Sequence, residues 1–200
     1  MMNSSAAHHD GSREPRRARQ YQVLAQMNRL INELLDAASM DAKGLRIVRE
    51  SVSVTGLLRS ALQAWGPVAH AKHIVLSTRP PGEPLYAPLD EHRIMQTLSN
   101  LLSNAIKFTP DGGSVRLEAR GAGPHVRFAV IDTGAGLSDA ECSSVLERVH
   151  HDAADRSRPL GLQVSKQIVE AHGGSLAVDS HRGEGSTFYF HVPRLSGQVA

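Results

Sequence analysis

Apolar positions recur along this chain with two different periods, and each change of period marks an element. Between Ala18 and Leu45, residues Leu24, Met27, Ile31, Leu34 and Ala38 step by threes and fours, a heptad seam that predicts a helix stopping near Gly44. Leu30 and Leu35 widen that stripe, so the helix needs an apolar partner: its own domain, a second copy, or another protein. Ile47, Val48, Val52 and Val54 then alternate, as a strand or extended linker does. Thr55 can cap a helix running to about Lys72, broken or kinked near Gly66-Pro67. His73 to Thr78 reads as a strand, Pro80 to Pro84 as a turn, and Leu85 to Pro88 as a short strand. Asp90 caps a helix to Phe108, and Asp111-Gly112-Gly113 forms a hairpin-type turn. Val115 to Ala119 and Val126 to Ile131 alternate as strands, followed by a short helix from Ser138 to Val149 and a polar loop to Pro159. A helix from Leu160 to Ala171 ends at Gly173-Gly174, and strands Ser175 to Asp179 and Thr187 to Val192 close the chain. Helices alternate with strands, yet several strands are joined by short turns, which predicts an α/β fold: a mixed sheet with helices on one face.

Composition narrows the functional classes. Of 200 residues, 40% are apolar but only 4% aromatic, so the core is expected to be aliphatic. The net charge of +2 makes no general case for nucleic acid, and the arginine run at 13, 16, 17 and 19 reads as a solvated stretch where a polar leader over residues 1–18 meets the first helix. The single Cys142 excludes an internal disulfide. No apolar run approaches the roughly 18 residues that span a bilayer, and the N-terminal stretch has no secretory pattern, so a cytoplasmic location without membrane insertion is expected.

Four segments carry candidate chemistry. Asn100, Asn104 and Lys107 fall at i, i+4 and i+7 on one helical face, opposite Ile94, Leu98, Leu101, Leu102 and Ile106. Carboxamide oxygens can ligate a hard cation and an ammonium can neutralise phosphate, although a solvated polar face is the plainer reading. Next, Val130-Ile131 runs into Asp132-Thr133-Gly134-Ala135-Gly136, where glycines admit a flat ligand and the carboxylate can accept from an exocyclic amine. Third, Leu160-Gly161-Leu162 opens a helix whose free N–H groups attract anions. Fourth, the hydroxyls of Gly183-Glu184-Gly185-Ser186-Thr187-Phe188 can donate to phosphate or serve a plain turn.

The order and spacing of the four weigh more than any one. NLLSNAIKFTP resembles the N box of histidine kinases, VIDTGAGL their G1 box, GLQVSKQIVEAHGGSLAVDS the second half of their G2 region, and GEGSTFYFHVP their terminal glycine-threonine box. MNRLINELLDAASMDAKGL resembles the second helix of the family's dimerisation and phosphotransfer hairpin. The resemblance implies a hairpin helix over residues 19–45, an ATP-binding α/β sandwich over 46–194, and a tail over 195–200. It implies that Asn104 ligates magnesium, that Asn100 supports the phosphate side, and that Lys107 contacts phosphates. It further implies that Asp132 binds the adenine amine, that Gly134 and Gly136 shape the base pocket, that Gly161 and Leu162 sit under the phosphates, and that Thr187 lines the base side. The reaction implied is transfer of the ATP γ-phosphoryl to a histidine and onward to a receiver aspartate, with dimerisation or a partner hairpin at helix 19–45.

Three departures qualify this. Ser157-Arg158-Pro159 stands where the family has glycines, so a positive-φ site and a phosphate-binding N–H are lost, with Arg156 and Arg158 available to pair with phosphate instead. Val145-Leu146-Glu147-Arg148-Val149 replaces the aromatic F box. No histidine followed by an acidic residue and a proline is present; His8, His9, His150 and His151 all lack that context. Two expectations follow: a truncated or split kinase that phosphorylates a histidine on a partner, or a degenerate module that acts through protein contacts with little catalysis.

Overall fold

The computed structural model describes residues 45–147 and 160–194. The helix expected over residues 19–45, the F-box end and the loop with Ser157, Pro159, Arg156 and Arg158 therefore lie outside the described residues, apart from Leu45 and the start of that box. Described in chain order are β1 (Glu50–Ser53), α1 (Val54–Ala71), β2 (Val75–Arg79), β3 (Tyr86–Leu89), α2 (Glu91–Phe108), β4 (Ser114–Ala122), β5 (His125–Asp132), α3 (Asp139–Glu147), α4 (Leu160–Ala171), β6 (Ser175–His181) and β7 (Gly185–Pro193). Five strands form one sheet in the order β2-β4-β5-β7-β6, and β1 pairs with β3 in a separate antiparallel ribbon. Only β2 and β4 run parallel; the remaining pairs of the large sheet are antiparallel, so the sheet is mixed as expected.

Helices α1, α2 and α4 cover one face of this sheet. Alternation drives that packing: Val115, Leu117 and Ala119 of β4, Val126, Phe128 and Val130 of β5, and Phe190 and Val192 of β7 are all buried. They meet Leu57 and Leu58 of α1, Ile94, Leu98, Leu101 and Leu102 of α2, and Ile168 and Val169 of α4. The expectation of a ring-free core is corrected here. Phe128 and Phe190 occupy directly paired positions, both fully buried, with rings stacked 4.9 Å apart. A low aromatic fraction does not keep the few rings out of the core, because each buries more apolar area than an aliphatic side chain.

Local departures from the sequence reading have simple causes. Helix α1 is capped by Ser53, whose hydroxyl accepts from the Gly56 N–H at 3.3 Å, not by Thr55, which already lies inside the helix. The same helix runs unbroken through Pro67: the carbonyl that proline leaves without a donor belongs to Gln63, and both residues are exposed to water. Strand β2 begins at Val75 because His73 takes a left-handed turn at φ 54°. The Asp111-Gly112-Gly113 turn joins α2 to β4 rather than two strands, and the hairpin between β4 and β5 turns at Gly123-Pro124. Ser138 and Glu141 open α3 as a reciprocal capping box, with Glu141 held down to about 2 by the Ser138 hydroxyl and N–H and by Arg182.

Asp90 fastens three elements at once. Its Oδ1 accepts from the Arg93 N–H at 3.1 Å and caps α2, its Oδ2 accepts from Val48 N–H at 3.1 Å, and its own N–H donates to Nε2 of His172 at 3.0 Å. His172 is 1% exposed, and its Nδ1 lies 2.7 Å from the Ile168 carbonyl, so the ring is neutral with the proton on Nδ1. Helix α2, which carries the candidate amides, is thereby fixed to the C-terminal end of α4.

Candidate functional site

The three polar positions of α2 do different things. Asn100 is buried, and its Nδ2 donates to the Gly161 carbonyl at 3.0 Å and to Ser165 Oγ at 3.2 Å. Ser165 Oγ in turn donates to the same carbonyl at 2.7 Å. Asn100 thus ties α2 to the first turn of α4, and a methyl group at Gly161 would come within 3.2 Å of its carboxamide carbon. One turn further on, Asn104 is half-buried and its amide makes no hydrogen bond among the described residues. Lys107 is exposed at the helix end, its ammonium 5.1 Å from the centre of the Phe108 ring. Leu162 sends its side chain into the core, so only its backbone can face a ligand at the start of α4.

The C-terminal end of α2 is gripped by a residue the sequence reading passed over. Lys72 Nζ donates to the carbonyls of Ile106, Lys107 and Thr109 at 2.9, 2.9 and 2.6 Å. A cation at this place satisfies terminal carbonyls and opposes the helix dipole. Lys72 lies in a turn with no pattern around it, and nothing in the linear sequence marks it.

Asp132 stands at the end of β5, 6% exposed. Its Oδ1 accepts from the Gly134 N–H at 2.8 Å, and the Ser186 N–H also supports the carboxylate. Burial pushes its pKa up from 3.8, and these two N–H groups pull in the other direction. The loop after it is packed too closely for side chains. A Cβ at Gly134 would stand 2.8 Å from both Asp132 Oδ1 and the Phe108 carbonyl oxygen. Gly136 has φ 67° and its Cβ would fall 2.0 Å from the His181 carbonyl; Gly185 has φ 87° and would strike the Asp132 carbonyl at the same distance. Backbone of the β5–α3 loop therefore lies directly on the end of α2 and on the β6–β7 turn.

The register decides which hydroxyl shares this place. Asp132 pairs with Ser186, and Thr187 pairs with Ile131 one residue earlier. Thr187 consequently alternates to the opposite face of the sheet from Asp132, although both reach a cleft of about 190 Å³ at the strand ends, which Ile131, Asp179 and Ser186 also line. Ser186 is the neighbour of Asp132, and its Oγ lies 2.9 Å from Ser180 Oγ. Ser180 is buried; it donates to the Gly185 carbonyl at 2.7 Å and accepts from the Leu137 N–H at 2.8 Å. Ser186 was discernible within the Gly-Glu-Gly-Ser-Thr segment, but choosing between it and Thr187 needs the strand register.

Residues 89–196 match the family described as histidine kinase-, DNA gyrase B- and HSP90-like ATPases. This chain belongs to that family. It is 36% identical over 176 residues to the adaptive-response sensory kinase SasA of Synechococcus elongatus, a match covering 85% of this chain and 45% of that protein. It is 29% identical over 174 residues to the sensor histidine kinase WalK of Bacillus subtilis, covering 84% and 28%. This ATPase-family chain thus spans about half or less of the length of these relatives. Among solved structures, full-length ShkA in complex with AMPPNP aligns with a TM-score of 0.72 at 30% identity, covering 86% of this chain and 37% of that one. Histidine kinase ThkA in complex with the response regulator TrrA aligns at 0.69 and 20% identity, covering 94% and 53%, which bears on the fold alone. The mixed five-stranded sheet with helices is that of histidine kinase catalytic domains, and the domain here is of that ATPase type. No helix among the described residues is long and apolar enough to cross a membrane.

Proposed function

We propose that this chain binds Mg-ATP between α2 and the end of β5 and phosphorylates a histidine on a partner that carries the dimerisation hairpin. The observation that carries the reading is Asp132: a buried carboxylate at a strand end, held by two N–H groups and walled by glycines that admit no side chain. Such a group recognises an amine that offers a proton in the plane of a flat ring, as adenine does. Gly134 and Gly136 shape the floor, and Ser186 supplies a hydroxyl beside the carboxylate.

The phosphate side fits as well. Asn104 presents an amide oxygen with no hydrogen bond among the described residues, suited to magnesium, and Lys107 an exposed ammonium suited to phosphate oxygens. Asn100 acts one step back, holding the first turn of α4 so that the backbone of Gly161 and Leu162 faces the same space. Arg156 and Arg158 are assigned to the phosphates in place of the missing glycine N–H groups. Bound Mg-ATP supplies the γ-phosphoryl group; the chain's residues orient it and offset its charge. Residues 19–45 dock on the partner hairpin or on a second copy, and a receiver domain accepts the phosphoryl group in turn.

A second reading, a binding module with little catalysis, is favoured by Ser157 and Pro159 standing where the family has glycines. Titration calorimetry separates the cases. Wild type is expected to bind Mg-ATP, and Asn104→Ala to bind about tenfold more weakly in magnesium and equally without it, as loss of one metal ligand requires. Wild-type binding undetectable at millimolar Mg-ATP overturns the enzymatic reading; binding without transfer to a separately supplied hairpin establishes the second.

A further inference from the structure

The sheet face turned away from the helices carries an arrangement of charge that the ATP site does not use. The register sets Arg120 directly opposite Arg127, and Arg127 directly opposite His191, so three basic side chains stand in one row across β4, β5 and β7. Like charges directly opposite each other destabilise an antiparallel pair. Arg116 and Arg79 share this face by strand alternation. Among the described residues one carboxylate serves the group: Glu118 lies 3.5 Å from Arg116 and 3.8 Å from Arg127. Arg79 and Arg120 are exposed and make no ion pair among the described residues, and the other acid of this face, Asp179, stands on the far strand β6. The surplus is felt locally, since His191 is held below its usual 6.5 by burial and then by Arg127, His125 and Arg120. Between Arg79 and Arg120 a cleft of about 250 Å³ opens, with Pro81 and Glu118 in its walls.

We propose that this face docks an acidic segment of a protein partner, with one carboxylate seated between Arg79 and Arg120. The chemistry of the face selects among anions. A base-stacking platform needs a free ring, but one side of Tyr189 is covered by the Arg127 guanidinium 4.3 Å from its centre, and its edge meets His191 at 5.6 Å. A lipid surface is gripped by several exposed apolar side chains as well as charge; of the exposed large apolar side chains among the described residues, Val75 alone stands on this face, at the opposite end of β2 from Arg79. Guanidinium groups with fixed planes, one stacked on tyrosine, suit carboxylates, which they bind through paired N–H groups.

The test uses the whole chain and fluorescein-labelled hexaglutamate, read by anisotropy, with phosphatidylserine vesicles and oligothymidylate as competing anions. Hexaglutamate is expected to bind at low ionic strength, to weaken with salt, and to lose about tenfold in affinity in the Arg79→Gln/Arg120→Gln double variant, with Mg-ATP affinity unchanged. Both substituted side chains are exposed, so folding is preserved, and a matching melting temperature checks it. Absent hexaglutamate binding, binding unaffected by the double variant, or vesicles or oligothymidylate bound more tightly and lost with the two arginines would each overturn the proposal.

Discussion

Replacing Asp132 by Asn separates recognition of the base from stability of the fold. Two N–H groups, of Gly134 and Ser186, point at the carboxylate. An amide has one oxygen, which must turn toward Gly134 N–H, 2.8 Å away in the wild type, leaving its NH2 to face the ligand side. Adenine then meets a donor with a donor. A hydrogen bond to a charged acceptor contributes about 2–3 kcal/mol, so ATP affinity should fall roughly 30- to 150-fold. Guanine presents a carbonyl where adenine has its amine, so GTP should lose much less and the preference for ATP should collapse. Stability should move little, because two effects oppose. The carboxylate's pKa is raised in the folded state by burial, so its ionised form weakens the fold as pH rises above 3.8, and the neutral amide removes that cost while leaving one N–H less well satisfied. The melting temperature at neutral pH should stay within about 4 °C of wild type. Calorimetric titration with both nucleotides and a thermal melt decide it. ATP affinity unchanged, or lost together with a collapse of the melting temperature, would refute the assignment of Asp132 to the base.

Two further substitutions probe the frame around the site. Lys72→Met should destabilise the domain by about 1–2 kcal/mol, read as a lowered urea midpoint, because three carbonyls at the end of α2 lose a shared cation that is only half-buried. His172 is held below 6.5 chiefly by burial, so the folded state binds its proton less readily than the unfolded chain. The stability it contributes is complete above about pH 6.5 and drains away as pH falls below it; melts between pH 7 and 5 should show that slope, and His172→Gln should flatten it.

How far the sequence went can be judged residue by residue. Helix α2 was legible because its apolar stripe and its Asp90 cap are both local, and the mixed sheet followed from short turns between alternating segments. That β5 ends at Asp132 and passes into a glycine loop was legible because a strand running into Asp-Thr-Gly-Ala-Gly puts the signal in consecutive residues. What escaped depends on distance or phase. Thr187 and Ser186 differ by one position, and one position reverses the face of the sheet. Lys72 meets its carbonyls 34 to 37 residues further along the chain. Ser53 and Thr55 are both competent caps, and only the pairing of β1 with β3 settles where the helix begins.

The departure at Ser157 and Pro159 takes on a definite shape in this light. In a loop whose glycines set the approach of the next helix, losing them would displace that helix. Here α4 has other anchors: Asn100 and Ser165 hold its first turn through the Gly161 carbonyl, and His172 holds its last turn to Asp90. These are buried polar contacts, and breaking one strands its partner without water, which makes them costly to lose. Helix α4 therefore has anchors of its own within the folded core. On the proposed reading, the substitutions weaken what that segment offers the phosphates and leave the base contacts of Asp132 and the magnesium amide of Asn104 where they were. On that reading, a chain altered in this way is expected to keep recognition of the nucleotide and to give up speed of transfer first.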